Sequence, residues 1–311
     1  MITSLLLALA AGAASALMFA SILSGAMVSI ALFYLAPLPL MVAAIGWSPF
    51  HASLGGIAAG TTLGLLFGFN YLVVFVVTIA LPAWWLGYLT MLGRPALPGE
   101  QTPVDWYPPG RLLLWVVVFA SLTAMAALLT LGGDSATITE AMRRALTRMI
   151  GPRGAMPAEV SSSPSLIDAL VGVAPAAAAV ATIITLSLNL WLAGRIVATS
   201  GRLRRTWPDL TRAALPPMTL VALPVAIAFC FVGGLPAMLA QIVVGALLMA
   251  YAITGLSTLH TLTRGRAHRP MWLSIVYASV TIFGWPIIGL VALGLADAFF
   301  ELRKPAPPAL T

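Results

Sequence analysis

Long apolar runs separated by short, mostly basic loops are the feature that most restricts how this chain can fold. Runs of about 20 apolar residues are long enough to cross a bilayer as helices, and such runs recur along the sequence. Only 8% of the 311 residues are charged and 60% are hydrophobic, whereas about a quarter of a soluble domain is charged. Because the runs are too long for barrel strands and do not alternate, we expect an all-α, polytopic transmembrane helical bundle.

The runs predict about nine spans, with eight to ten compatible with the chain length. Their approximate limits are 4–23, 27–45, 52–69, 73–92, 112–131, 166–193, 214–232, 235–262 and 271–300. The last run is too long for one span of a ~30 Å core at 1.5 Å per residue, and short for two. We expect it to be broken at Gly284, Trp285 and Pro286 into two short helices; a single kinked helix is the alternative.

Residues 132–165 form the longest stretch without a membrane run, and they predict an extramembrane loop within a single integral membrane domain of residues 1–311. From Thr139 to Ile150, apolar residues are interspersed with Arg143, Arg144 and Arg148, a pattern typical of a short basic amphipathic helix. Such a helix either lies on a membrane surface or packs on the loops of the protein itself. Both possibilities stay open from the sequence.

The net charge of +7 comes mainly from arginines in short loops, which is typical of the cytoplasmic side of a membrane protein rather than of nucleic-acid binding. The most basic loops, 194–212 and 263–269, flank two predicted spans, so both loops can be cytoplasmic. Counting back through alternating spans places the N-terminus in the cytoplasm. We therefore expect a multi-pass protein of a bacterial inner membrane, with the lipid bilayer as its first partner and no nucleic acid.

Motifs that carry enzyme chemistry are missing from the sequence. There is no Walker sequence, no HExxH and no GxSxG. The three histidines, His51, His260 and His268, do not have the spacing of metal ligands, and Cys230 is the only cysteine. We predict that the chain is not an enzyme and carries no cofactor and no metal site.

Prolines inside spans suggest a substrate cavity, because broken helices expose backbone groups that a substrate can use. Pro37 and Pro39 lie well inside an apolar run, and strong hydrogen-bonding side chains occur elsewhere in or beside the spans. The predicted cavity residues are Pro37, Pro39, Asn70, Asn189 and Gln241. The alternative is that the prolines are ordinary and that Asn189 and Gln241 tie helices together. Asp168 and Asp297 are the acids nearest to the spans, and each lies close to a span end.

Small residues along the first span suggest a docking face. Small side chains at four-residue steps let helix backbones approach closely in lipid. The predicted partner-docking residues are Ala10, Gly12, Ala14 and Ala16. The alternative is ordinary packing within the bundle.

Four segments together resemble a known family. Residues 33–39, 81–88, 106–110 and 294–304 resemble the YybS-like family of predicted bacterial membrane proteins, a domain of unknown function, in its Gram-negative form. The family's tail usually reads closer to Asp-x-x-x-Asp-Phe-Arg-Lys, whereas Glu301 and Leu302 stand here at the second acid and the aromatic. The family is similar in layout to the substrate-binding components of energy-coupling-factor vitamin transporters, which dock a partner through small-residue helices.

The resemblance and the residues lead to one functional expectation and one alternative. The expectation is a substrate-capture or permease-like subunit for a small organic nutrient, without its own ATPase, which works with another membrane subunit or an energy-coupling module. The alternative is a non-transporting membrane scaffold in envelope assembly or cell-shape machinery. In that case the basic loops 202–212 and 264–269 and the first span would make the contacts.

Overall fold

The structure, a computed structural model, describes residues 2–95, 104–150, 164–209, 213–266 and 268–303. Within these ranges the chain is almost entirely helical, with one short antiparallel hairpin in which β1 (Gly93–Pro95) pairs with β2 (Val104–Trp106). An all-α fold is therefore confirmed.

The chain forms two compact units, each built from two separate segments. The first unit comprises Met1–Phe119 and Ile184–Asp209, and the second comprises Ala120–Ile183 and Leu210–Thr311. The hydropathy pattern predicted a single membrane domain and contains no sign of this division. Hydropathy reports how apolar each run is and does not report which runs pack together.

Most helices of the first unit come from the N-terminal third of the chain. They are α1 (Ile2–Ala20, continued by a 3₁₀ turn over Ser21–Ser24), α2 (Met27–Leu35), α3 (Pro37–Gly46), α4 (Pro49–Phe67), α5 (Phe69–Phe75) and α6 (Leu81–Thr90). Proline at the first position of α3 and α4 suits a helix start, where the missing N–H would have no partner. Between α4 and α5, Gly68 adopts φ 99°, which only glycine tolerates readily.

A π-helical turn, Val76–Ala80, joins α5 to α6. Its position follows from Pro82, which has no N–H to donate to the carbonyl four residues earlier and whose ring would clash with that carbonyl. A locally widened turn removes this conflict without ending the helix. The predicted span 73–92 is thus observed as one apolar stretch with a distortion near its middle.

Two long helices contain residues of both units. They are α7 (Pro109–Leu129) and α9 (Pro164–Thr199), with the amphipathic α8 (Ser135–Ile150) between them in sequence. α9 has 36 residues, which is about 54 Å, and it continues past the predicted end of its span at residue 193. It ends where Gly201 adopts φ 69° and the Arg202 N–H bonds to the Val197 carbonyl, which is a common helix stop.

The remaining helices belong to the second unit. They are α10 (Met218–Phe229), α11 (Gly234–Leu262), α12 (Arg269–Phe283) and α13 (Ile287–Phe300). The turn between α10 and α11 uses Gly233 and Gly234, both with positive φ, as expected from the sequence. The last run is broken where predicted, because α12 ends before Gly284 (φ 71°) and α13 begins after Pro286.

Within the described residues, seven stretches of helix are long and apolar enough to cross a membrane. They are Thr3–Ser24, Met27–Gly46, Pro49–Phe67, Phe69–Thr90, Pro109–Leu129, Ser165–Thr199 and Gly234–Leu262. Two further apolar helices, α10 and α13, have only 12 and 14 residues. The chain is therefore a multi-pass membrane-type protein, but the expected nine spans are not confirmed. Within the predicted span 214–232 the helix is only Met218–Phe229, because residues 214–217 are not helical.

The predicted amphipathic helix is present as α8. Ile138 and Met142 are buried, and α8 packs against α11 within the second unit. Asp134 caps the helix, since its carboxylate accepts hydrogen bonds from the Thr137 N–H at 3.0 Å and the Thr137 hydroxyl at 2.6 Å. Both bonds lower the pKa of the Asp134 carboxyl, and the bond from the Thr137 hydroxyl has the larger effect.

Each unit contains a seam where two helix backbones touch. In the first unit, a β-carbon on Gly12 would lie 2.2 Å from the Gly55 carbonyl oxygen, so α1 and α4 approach as closely as glycine allows. In the second unit, a β-carbon on Gly255 would lie 1.9 Å from the Leu290 carbonyl oxygen. Such contacts between small residues are a main source of helix association in lipid.

Candidate functional site

The prolines of the predicted cavity interrupt a helix, and that interruption is closed by side chains. α2 ends at Leu35 and α3 begins at Pro37, with Ala36 between them. Pro37 and Pro39 cannot donate to the Phe33 and Leu35 carbonyls four residues earlier, and the Ala36 N–H bonds to the Phe33 oxygen at 3.2 Å. Ser15 Oγ donates to the Ala36 oxygen at 2.6 Å.

Asn189, on α9, supplies the second donor to this interruption. Its Nδ2 donates to the Tyr34 oxygen at 2.8 Å and also to the Thr185 oxygen at 2.8 Å, and the residue is only 1% exposed. The amide therefore ties α9 to the end of α2. Asn189 Oδ1 has no hydrogen-bond partner among the described residues.

The other predicted cavity residues lie elsewhere. Asn70 is exposed at the start of α5, and Gln241 is half-buried on α11. Gln241 belongs to the second unit, whereas Pro37, Pro39 and Asn189 belong to the first. Of the five residues, only Pro37 and Asn189 are buried and close to one interruption. A substrate cavity built from all five stays a prediction.

The predicted docking residues do not share one environment. Gly12 is buried and packs against Gly55, as described above, whereas Ala10 is exposed and Ala14 and Ala16 are half-buried. Gly12 therefore takes part in ordinary packing within the bundle, which was the alternative to docking. Docking of a partner stays a prediction for the exposed side of α1.

A buried ion pair near the end of α13 is the strongest chemical feature of the described residues. Arg303 Nε lies 2.8 Å and Arg303 Nη2 lies 2.5 Å from the same oxygen, Oδ2 of Asp297. The two side chains are 13% and 6% exposed. Glu301 adopts φ 53° at the end of α13, which lets the chain turn back so that Arg303 reaches Asp297.

The same guanidinium also holds an irregular segment of backbone. Arg303 Nη1 donates to the Ala213 oxygen at 3.0 Å. Residues 213–217, which precede α10, are not helical, and Ala213 and Leu215 within them are buried. Non-helical backbone inside an apolar protein is tolerated where protein groups satisfy it or where it lines a cavity.

The ion pair lies level with the middle of α11. α11 and α13 are antiparallel, because Gly255 packs against Leu290 while Gly294 packs against Tyr251. Asp297 is nearly one turn beyond Gly294, which brings it towards the level of residue 247 in a helix that spans Gly234–Leu262. Charged side chains at such a depth are rare and most often functional.

A pair of hydroxyl groups lies at the other end of the irregular segment. Thr219, in the first turn of α10, has its Oγ1 2.8 Å from the hydroxyl oxygen of Tyr251, and both residues are buried. α10 thus begins beside the middle of α11, in the same way that α13 ends there. Two half-length helices that end inside an apolar bundle are typical of substrate sites in membrane transporters.

One atom of the ion pair remains available. Asp297 Oδ1 is buried and has no hydrogen-bond partner among the described residues. A buried carboxylate oxygen without a donor is unfavourable, so a bound molecule with an N–H or O–H group would stabilise it. We call Asp297, Arg303, residues 213–217, Thr219 and Tyr251 the charged site.

The charged site was not predicted from the sequence, in which Asp297 lies close to the end of a predicted span and Arg303 lies beyond that end. The signal was present: an acid inside an apolar run, followed six residues later by an arginine. What the sequence did not reveal is the left-handed turn at Glu301 that brings the two together.

Several arginines of the predicted basic loops have contacts within the protein. The guanidinium of Arg202 lies 4.5 Å from the centre of the Trp47 ring, a cation–π contact. Arg205 donates to the Thr90 oxygen at 3.0 Å and is 6% exposed; burial lowers its pKa from the ordinary value. Both arginines therefore make contacts with residues of the first unit.

Comparisons with models of protein families, with curated proteins and with solved structures found no match. The resemblance to the YybS-like family consequently stays a prediction. Within the described ranges, no group of three or more His, Cys, Asp or Glu side chains is placed to hold a metal ion.

Proposed function

We propose that this chain is a permease-like or substrate-capture membrane protein that binds a small organic solute at the charged site. The observation that carries the proposal is the buried Asp297–Arg303 pair, with one carboxylate oxygen free, beside the non-helical residues 213–217. With no nucleotide-binding motif in the sequence, energy for transport would come from another membrane subunit or an energy-coupling module.

The energetics of buried charge support a functional role. Removing two ions from water costs several kcal/mol for each ion, and well-packed apolar residues in the same place are often equally or more stable. Fold stability alone therefore does not explain why charged residues occupy positions 297 and 303. A solute with a hydrogen-bond donor gains most from the site, because Oδ1 of Asp297 then becomes satisfied.

The proposal is tested by purifying the protein in mild detergent and identifying retained small molecules by mass spectrometry. The wild type is compared with Asp297→Asn, which keeps the shape of the side chain but removes its charge, and with the control Glu140→Gln, which makes the same kind of change at an exposed position on α8. We expect a solute that the wild type and the control retain and that Asp297→Asn loses. A set of retained molecules that is the same for all three proteins would contradict the proposal.

A scaffold function is the second candidate, and the tight seams at Gly12–Gly55 and Gly255–Gly294 favour it. Closely packed helices suit a protein that holds partners rather than one that moves solute. The same purification separates the two candidates, because a scaffold would retain envelope or cell-shape proteins and no solute. The exposed side of α1, with Leu6 and Ala10, is the surface that a partner would cover.

We further propose a location and a topology for the chain. The basic loops support a bacterial inner membrane, nine passes and a cytoplasmic N-terminus, and the motifs quoted above support membership of the YybS-like family. Topology reporters fused after residue 205 and after residue 311 test this arrangement. Replacing Pro286 with Ala in the second fusion tests whether the break between α12 and α13 sets the side of the C-terminus.

A further inference from the structure

An apolar cleft in the second unit has no role in the charged site. It has a volume of about 130 Å³ and lies between α11, α12 and α13. Its walls include Ile253 of α11, Val280 of α12 and Leu290 of α13. α12 contributes no buried residue, so the cleft is open on one side. Apolar cavities of this size stay dry and take up hydrocarbon.

One wall of the cleft leads to polar groups. Tyr277 lines the cleft, and its hydroxyl oxygen lies 3.0 Å from His260 Nε2. On the other side of the imidazole, His260 Nδ1 lies 3.5 Å from Nη2 of Arg269. The order from the cleft outwards is therefore hydrocarbon, phenol, imidazole and guanidinium. Arg269 Nε is buried without a hydrogen-bond partner among the described residues.

The surroundings of Arg269 in the sequence are strongly basic. The loop between α11 and α12 also contains Arg264, Arg266 and His268, and residues 210–296 contain no Asp or Glu. Basic residues next to an apolar groove between transmembrane helices are characteristic of sites for anionic lipid head groups.

We propose that this cleft binds an acyl chain of an anionic phospholipid, whose phosphate lies at Arg269 beside His260 and Tyr277. The acyl chain is favoured because the cleft is apolar and open to one side. The anionic head group is favoured because Arg269 belongs to a basic loop and residues 210–296 contain no Asp or Glu. This site uses none of the residues of the charged site, so it does not depend on the proposed solute.

The test measures which lipids stay bound. The protein is reconstituted into nanodiscs that contain equal amounts of phosphatidylglycerol and phosphatidylcholine, and retained lipids are counted by native mass spectrometry after transfer to detergent. We expect retained phosphatidylglycerol in excess over phosphatidylcholine. Arg269→Gln should reduce this excess about fivefold, the effect of one cation near a membrane surface, whereas Arg148→Gln on α8 should leave it unchanged.

A second variant tests the cleft itself. Val280→Phe fills the cleft and should abolish retention of both lipids, whereas Ile282→Phe, at a 71% exposed position on the same helix, should not. Thermal unfolding of both variants in detergent checks that they fold. Equal retention of the two lipids by the wild type, or equal retention by folded Val280→Phe and Ile282→Phe, would overturn the proposal.

Discussion

In each unit a pair of prolines lies at an interruption of helical backbone with buried neighbours, and these two interruptions are satisfied differently. In the first unit, Ser15 donates to the Ala36 oxygen and Asn189 donates to the Tyr34 oxygen, both beside the interruption. In the second unit, a charged group, Arg303, donates to the Ala213 oxygen and pairs with Asp297. The first interruption is held by neutral groups and the second by a buried ion pair.

The difference shows that proline marks an interruption but does not identify a site. Pro37 and Pro39 in the first unit resemble Pro216 and Pro217 in the second as sequence signals. Each interruption has one buried side-chain oxygen without a donor among the described residues, Asn189 Oδ1 in the first and Asp297 Oδ1 in the second. What distinguishes the second interruption is buried charge, since neutral side chains repair a helix at lower cost than ions do.

The largest expected effect on the free energy of unfolding comes from removing the Asp297 side chain at the second interruption. Asp297→Ala leaves the Arg303 cation buried without its partner, which should lower the free energy of unfolding by about 3–5 kcal/mol. Unfolding is measured by SDS titration in mixed micelles. Asp297→Leu combined with Arg303→Met should recover most of this loss, and a double variant as unstable as Asp297→Ala would show that the ion pair itself is not the cause.

The seam that positions Asp297 should be the next most sensitive place. Gly255→Ala puts a β-carbon against the Leu290 carbonyl, so α11 and α13 must separate, and we expect a loss of about 1–3 kcal/mol in the same titration. Gly289→Ala on α13 is the matched control, because nothing lies within 4 Å of its added β-carbon. Equal stability of the two variants would mean that α11 and α13 can separate without lowering the free energy of unfolding.

Loss of a side chain at the first interruption, around Ala36, should lower the free energy of unfolding less than loss of Asp297 does. Asn189→Ala leaves the Tyr34 oxygen without its side-chain donor, which should cost about 1–3 kcal/mol, and Asn70→Ala at an exposed position should cost nothing measurable. Solute retention should not change in Asn189→Ala, in contrast to Asp297→Asn. If Asn189→Ala instead abolished retention while the protein stayed folded, the first interruption would be the solute site.

The smallest effect concerns the cap of α8, outside both interruptions. The pKa of folded Asp134 lies below its ordinary value of 3.8 because of the bonds from Thr137. Its stabilisation is therefore fully present above the unfolded pKa and is lost as the pH falls through the lower folded pKa. The protection of the Thr137 amide, which is its exchange rate relative to the intrinsic rate at the same pH, should be constant at neutral pH and fall below about pH 4. Asp134→Asn should remove this pH dependence.

The sequence predicted the fold class and most helix positions because hydropathy depends on each run alone. The amphipathic pattern around Arg143 and the break at Gly284–Pro286 were also visible, since both are local. The helix expected over 214–232 begins later than predicted, at Met218, directly after Pro216 and Pro217.

The site was less predictable than the fold because it depends on contacts between distant residues. Pairing of Arg303 with both Asp297 and Ala213 requires a chain reversal and a contact 90 residues apart in sequence. Likewise, Gly12 was recognised as a small packing residue, but only the structure shows that its partner is Gly55 of the same unit.

The central claim is that the charged site is reachable by a solute whereas the neutral interruption is closed. Cysteines placed singly at Ala213 and at Ser15, in a chain with Cys230→Ser, are treated in membranes with a small, charged, thiol-reactive reagent. The account predicts modification of the cysteine at 213 and none of the cysteine at 15. Modification at 15 without modification at 213 would contradict it.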